Sequence, residues 1–410
     1  MRGLPAQVSN TFRSLRHFNY RAWAAGALVS NIGTWMQRTA QDWLVLTQLT
    51  PHSAAAVGIT MSLQFGPALL LLPWTGFAAD HYNQRRLLMA TQAALGLLAL
   101  ILGVLTLTGT VQLWHVYVLA LLQGCATAFD APVRQTFVSE LVGAEDLPNA
   151  VALNSTSFNA GRMIGPAVSG LVIASIGTGW SFIANGLSFG AVLASLALLR
   201  KGKLQPNARA PRVKGSLVQG VGYTLRRPDL TANLIMLFFL CTFGLNFPIF
   251  ISTMAVRVFH ADVRGYGLLS SAMALGTIAG GLLAAGRDPR FVKLMTGAAV
   301  FALGCALAAI APSYGFFAGA LVLIGIATLT FTNTSNSLMQ IRTDPAMRGR
   351  VMALRMAIVQ GCTPLGAPLV GWVADHPGPR WALVVGAASG LISAAVALWY
   401  LRTGKVRWDT

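Results

Sequence analysis

The chain has 410 residues, of which 55% are hydrophobic and only 10% charged. A soluble protein of this length carries roughly 25% charged residues, so a water-soluble globular enzyme is excluded. The formal charge of +18 would suit a nucleic-acid binder only if it were gathered on one binding surface.

The first 19 residues carry Arg2, Arg13 and Arg16 without an A-x-A cleavage site, which predicts a retained cytoplasmic tail rather than a signal peptide. From Tyr20 onward apolar runs of about 20 residues recur, each long enough to cross a hydrocarbon layer of about 30 Å. Twelve spans are predicted, at 20–46, 54–79, 86–108, 112–131, 149–176, 179–199, 229–256, 265–286, 291–311, 313–340, 350–374 and 380–401. The expected organisation is a tail at 1–19, a six-helix bundle at 20–199, a central cytoplasmic loop at 200–228, a second six-helix bundle at 229–401 and a tail at 402–410. With the N-terminus inside, only Arg257, Arg264 and Arg380 fall at the outer side and only Arg38 and Arg162 lie deep within spans; the other 25 of the 30 Lys and Arg lie in cytoplasmic tails, loops and their flanks, span ends included. That is the positive-inside distribution, so the basic excess sets topology, with both termini cytoplasmic and no nucleic-acid partner.

Charge within the spans begins in the first, where "TWMQRTAQDWLVL" places Arg38 and Asp42 one helical turn apart. Counted from Tyr20 at about 1.5 Å per residue they lie about 27 and 33 Å along the helix, near the outer face. Asn31, Thr34, Arg38 and Gln41 form one stripe, expected to line a cavity. Asp42 with Arg38 reads either as a proton-coupling pair or as an interfacial ion pair whose long side chains reach water.

The second span runs into "GFAADHYNQRR", with Gly76, Asp80, Arg85 and Arg86. A small residue there predicts a close helix approach, and Arg85 is the expected partner of the acid. The fourth span ends at Asp130, followed by Arg134; Asp130 is expected to pair with Arg85 or Arg86 at an inner gate, or to carry protons. The fifth contains "GRMIGPAVSG". Gly161 and Gly165, on one helix face, permit tight packing, Pro166 bends the span, and Gly170 follows. Arg162 lies roughly 20 Å into this span, where a cation is costly and usually functional: it could bind an anionic substrate group, oppose a carboxylate, or hold helices together.

In the second half, "CTFGLNFPIF" sets Asn246 between Gly244 and Pro248, predicting a helix break, and "TLTFTNTSNSLMQ" brings Asn333 into an unusually polar span. Phe158, Phe243, Phe247 and Trp35 could stack on aromatic cargo or simply pack. A shift of 201 residues lays Asn149–Leu171 over Arg350–Trp372, matching Gly165 and Gly170 to Gly366 and Gly371; such repeated halves are common in transporters. The four Cys lie in apolar spans without a C-x-x-C pair and the six His are scattered, so no metal site or disulfide is expected.

The loop "GFAADHYNQRR" resembles the G-x-L-a-D-r-x-x-R-[RK] motif of the major facilitator superfamily, with Ala78, His81 and Gln84 at three departures. "GRMIGPAVSG" is similar to the antiporter motif of its exporters, with Ser169 replacing the penultimate Gly. The strings "NYRAWAAGALVSNIGTWMQRTAQDWLVLTQLT", "FDAPVRQTFVSELV" and "RGRVMALRMAIVQGCTPLGAPLVGWVAD" resemble the drug-and-siderophore exporter branch that contains the enterobactin exporter. The resemblance covers nearly the whole chain. It implies an all-α membrane fold of twelve helices in two pseudo-symmetric bundles, in the bacterial cytoplasmic membrane, with the first loop motif acting as a latch. In the equivalent loop of the second half, Gly280–Arg290, Ala285 stands where the Asp would be.

The expected function is export of an amphipathic small molecule by proton antiport with alternating access. A uniporter or importer, or a lipid flippase, is the alternative. No cofactor beyond the proton gradient and no obligate protein partner is expected, only substrate and membrane lipid around a monomer. No Ser/His/Asp, paired-carboxylate or phosphate-loop constellation suggests an enzyme.

Overall fold

The computed structural model describes residues 12–143, 145–200, 202, 204, 217–284, 288–404 and 406. Every expected span is met by a helix or by consecutive helical pieces. The first six are α1 (Phe18–Thr47), α2 (Ala54–Leu70, resuming as Leu72–His81), α3 (Gln84–Leu107), α4 (Leu113–Leu141), α5 (Leu147–Ile176) and α6 (Thr178–Ala197). In the second half, α7 starts as Pro228–Phe239, passes through a π-helical turn at Leu240–Gly244 and resumes as Phe247–Thr253, ending in a second π turn at Met254–Val258. It is followed by α8 (Val263–Ala284), α9 (Phe291–Ala309), α10 (Tyr314–Arg342), α11 (Arg348–Asp375) and α12 (Pro379–Arg402).

Among the described residues, nine of these helices are long and apolar enough to cross a membrane by length and composition. The other three are α1, α2 and α5. The first piece of α2 stops after 17 residues, where Pro73 opens the second piece. In α1 and α5 polar and charged residues interrupt the apolar run. Polarity is therefore concentrated in particular helices, where lipid contact would be costly.

Helix ends follow local chemistry. Asn83 caps α3 by accepting the Arg86 N–H, and Ser313 caps α10 by accepting that of Phe316. Two glycines turn the chain between neighbouring helices: Gly177 between α5 and α6 (φ 97°) and Gly378 between α11 and α12 (φ 119°). These two left-handed positions are related by the same 201-residue shift as the glycines of α5 and α11, so the repeat extends from sequence into backbone conformation.

The chain forms two compact units. One contains Met1–Gln41 with Leu70–Pro211, the other Asp42–Leu69 with Arg212–Thr410. Within the first, α3 packs on α6 and α4, and a core of Tyr20, Trp23, Val133, Phe137 and Leu196 gathers around one end of the helices. Here Arg13–Arg16 forms a 3-10 turn, and Arg13 and His17 both meet Asp146 at the start of α5, at 2.8 and 2.7 Å. Within the second unit α8 packs on α10 and α9 on α12. The central loop, read from its polarity as a break, contains a nine-residue helix at Leu217–Leu225. It lies on α11, where Gly220 leaves room for Arg350.

Candidate functional site

The site grows from a glycine contact. Gly161 and Gly165 are four residues apart on α5, and a Cβ on either would collide with α1: 2.8 Å from the Asn31 carbonyl carbon and 2.6 Å from the Trp35 Cβ. Two backbones this close force the side chains beside the glycines together. Asn31 donates to Ser157 Oγ at 3.1 Å. Phe158 meets Trp35 edge to face, with ring centroids 5.6 Å apart and an interplanar angle of 70°. Arg162, beside Gly161 and at the middle of α5, places its guanidinium carbon 5.5 Å from the Trp35 ring centroid, and Arg38 places its own at 4.8 Å.

Among the described residues Arg162 makes no ion pair or hydrogen bond, and the charge acting on it is that of another cation, Arg38. Arg38 has partners beyond the ring. An arginine at the bilayer centre costs about 2.5–3.5 kcal/mol, whereas a cation over an indole recovers about 0.5–2 kcal/mol. One ring shared by two guanidiniums offsets only part of the cost. Phe158 remains 48% exposed, so the cluster has an open aromatic edge. Nearby on the α1 stripe, Thr34 is half-buried, and Gln41 is buried with both amide atoms lacking hydrogen-bond partners among the described residues.

The remaining candidates separate from this cluster. Pro166 stays inside a continuous α5, without a break, and Gly170 is buried. Asp130 does not pair with Arg85 or Arg86. Its Oδ1 accepts from Thr91 and Gln92 of α3 at 2.8 and 2.7 Å, and its Oδ2 takes Arg134 one turn along at 2.9 Å. Arg85 instead donates to the Leu196 and Ala197 carbonyls at the end of α6, a natural anchor for a cation. The Asp130 carboxylate is thus saturated inside α3–α4. A Cβ on Gly76 meets nothing within 4 Å among the described residues, so the loop motif gains no close approach there. The Asp80 side chain and Ala285 lie outside the described residues.

In the second unit, Asp42 accepts from the Tyr266 hydroxyl of α8 at 3.1 Å, and Trp43 stacks on the same tyrosine ring. The expected break in α7 is real, but Asn246 serves it from within: fully buried, it donates to the Thr242 carbonyl at 2.8 Å. Its Oδ1 has no hydrogen-bond partner among the described residues. A Cβ on Gly366 of α11 would lie 1.6 Å from that same Thr242 carbonyl oxygen. So α11 meets α7 at Gly366 as α5 meets α1 at Gly165, the residue one repeat earlier. Asn333 is exposed; the buried amide of this region is Asn233, bonded to Ser335 Oγ at 2.6 Å. Phe247 is buried against Phe250 and Phe301 and reads as packing.

Two side chains with buried or long-range partners were not anticipated. Arg355, eight residues into α11, is 8% exposed, with Nη2 donating to the Thr332 carbonyl at 3.3 Å and Nε without a partner among the described residues. Its place near the span's start made it look like one more topology-setting flank. Asp375, the last residue of α11, binds the start of α2. It accepts from the Ala54 N–H at 2.7 Å, the Ala55 N–H at 2.9 Å and the Ser53 hydroxyl at 3.0 Å, and pairs with Arg257 at 3.4 Å. Ser53, Arg257 and Asp375 border an open cleft of about 600 Å³ with His52 and His260. Only a partner 321 residues away in sequence reveals the role of Asp375. Among the described residues no group of three or more His, Cys, Asp or Glu could hold a metal.

The family profile described as "Transmembrane secretion effector" matches residues 9–407. The chain belongs to this family of the major facilitator superfamily. Among its relatives, the staphyloferrin A transporter of Staphylococcus aureus is 26% identical over 84% of this chain and 86% of that protein. The multidrug efflux pump Tap of Mycolicibacterium fortuitum is 27% identical over 86% and 88%, and the enterobactin exporter EntS of Escherichia coli is 25% identical over 80% and 79%. In fold, the chain is similar to a bacterial homologue of the human lysosomal transporter Spinster, with a TM-score of 0.74 at 15% identity over 95% of this chain and 97% of that one. The nucleoside transporter NupG gives 0.71 at 13% identity over 95% and 100%. This transmembrane secretion effector family member is a multi-pass secondary transporter, and its family consists of transporters rather than enzymes.

Proposed function

We propose that the chain exports an amphipathic small molecule across the bacterial cytoplasmic membrane in exchange for protons, by alternating access. The observation that carries a binding role is Arg162: a cation at the middle of a spanning helix, set on an exposed aromatic edge, with no acceptor among the described residues. A structural arginine in that position would have a carboxylate or carbonyl to hold. The direction of transport is supported by relatives named as an exporter and an efflux pump and by the glycine contact between α5 and α1. Asp42 is the proton-coupling residue in this reading, its carboxylate linked to α8 through Tyr266. Asp375 acts as a latch that grips the start of α2 in one state and releases it in the other.

The test is transport in proteoliposomes of a panel of siderophores, antibiotics and simple aromatic acids, with and without an imposed pH gradient. The proposal expects at least one compound to be moved uphill only when the gradient is present. Equal movement with and without the gradient would make the chain a facilitator, and transbilayer movement of labelled phospholipid would make it a flippase.

A further inference from the structure

Within the proposed transport function, the chemistry of the α1–α5 cluster narrows the cargo. Three observations converge on one small region. Arg162 has a planar fork of donors and no acceptor among the described residues, which a carboxylate can satisfy by two parallel hydrogen bonds. Arg38 stands over the same indole, so the ring that Arg162 meets is shared with a second guanidinium. Phe158, edge-on to Trp35 and 48% exposed, presents an uncovered aromatic surface one turn from Arg162. A cationic cargo would meet two like charges here. A neutral one would leave Arg162 as it is, and an aliphatic anion would leave the Phe158 edge uncovered. A molecule carrying a carboxylate on an aromatic ring answers all three.

We propose that Arg162 is the anion seat, and Phe158 with Trp35 the ring seat, for an aromatic carboxylate. This inference rests on the transport reading for its meaning as cargo, but its binding chemistry can be examined alone. The occupied site would hold the carboxylate on the Arg162 fork, with its ring against the Phe158 edge. An anion satisfies the Arg162 fork and a neutral molecule does not, so an anion should bind here more tightly than its neutral isostere whether or not any gradient is present.

The experiment measures binding of salicylate and of its neutral isostere salicylamide to the purified full-length protein in nanodiscs, alongside wild-type, Arg162→Gln, Arg162→Lys and Phe158→Ala variants. Wild type should prefer salicylate by at least about 10-fold, the scale of a charge-assisted hydrogen bond in a partly dry site. Arg162→Gln should erase that preference, Arg162→Lys should restore part of it through charge without the fork, and Phe158→Ala should weaken salicylate relative to an aliphatic carboxylate such as cyclohexanecarboxylate. Arg162→Gln should melt no lower than wild type, because the cost of holding the cation at mid-span exceeds what the Trp35 ring recovers; a clear fall would mark Arg162 as structural and overturn the proposal. Equal binding of salicylate and salicylamide, or an unchanged ratio in Arg162→Gln, would also overturn it. If vesicles move other compounds under a pH gradient while salicylate neither binds nor competes, the cargo assignment fails and transport stands. If salicylate binds through Arg162 but no compound moves, the binding site stands and the transport reading fails.

Discussion

Asp375 accepts the backbone N–H of Ala54 at 2.7 Å, although 321 residues separate them in the chain. The first N–H groups of a helix have no partner inside it, and here a side chain from the far end of α11 supplies them, taking Ala55 as well, while Ser53 caps Ala56. Arg257 donates to the Ala374 carbonyl and pairs with the same carboxylate. One acidic group thus ties α2, α7 and α11 together.

Replacing Asp375 by Ala should therefore destabilise the protein by about 1–3 kcal/mol, a lost helix cap plus a stranded charge partner. The readout is the thermal midpoint in detergent, with Asp375→Asn intermediate because its amide oxygen can still accept one N–H. A wild-type midpoint for Asp375→Ala would remove the latch from the account.

The glycines make a contrast that needs no functional assay. Gly366→Ala places a methyl on the Thr242 carbonyl oxygen, and overpacking of this kind costs about 1–3 kcal/mol or more. Gly76→Ala points into open space and should stay within about 0.5 kcal/mol. Paired thermal melts check the two, and equal midpoints would contradict the packing described at α7 and α11.

These contrasts also mark what the sequence made legible. Most spans were readable because an apolar run of bilayer length is rarely tolerated in water and fits a hydrocarbon layer end to end, while α1, α2 and α5 were readable only as interrupted runs. The break in α7 was readable because Gly244, Asn246 and Pro248 crowd within five residues. The glycine contact on α5 was readable because small residues four apart share a face. What was not readable is partner choice. Asp130 was expected to reach Arg85 across a loop, but Arg134 one turn away and two side chains of α3 satisfy it first. Arg355 was hidden by its position near a span's start, where arginines ordinarily set topology.

Asp130 should accordingly behave as a structural pin. Removing its charge with Ala leaves Arg134, Thr91 and Gln92 without their shared acceptor, a loss of about 3–5 kcal/mol for a broken buried pair. The double variant Asp130→Asn with Arg134→Gln should lose less than the two single losses together. Denaturation of all three gives the coupling energy; strict additivity would show that the pair does not act as a unit.

Asp42 is predicted to behave differently. Asp42→Asn should keep substrate binding within about threefold, because the Arg162 cluster is untouched, and should abolish the dependence of transport on the pH gradient. Binding and flux measured on the same preparation separate the two effects. Gradient-driven uptake at the wild-type rate would take Asp42 out of the coupling role.

The central claim, exchange of substrate for protons, is tested most directly by running the cycle backwards. Proteoliposomes loaded with a pH-sensitive dye receive a gradient of a transported compound and no imposed pH gradient. The account predicts proton movement opposite to the substrate, present in wild type and absent in Asp42→Asn, whereas substrate flux in wild type with no accompanying change in internal pH would contradict it.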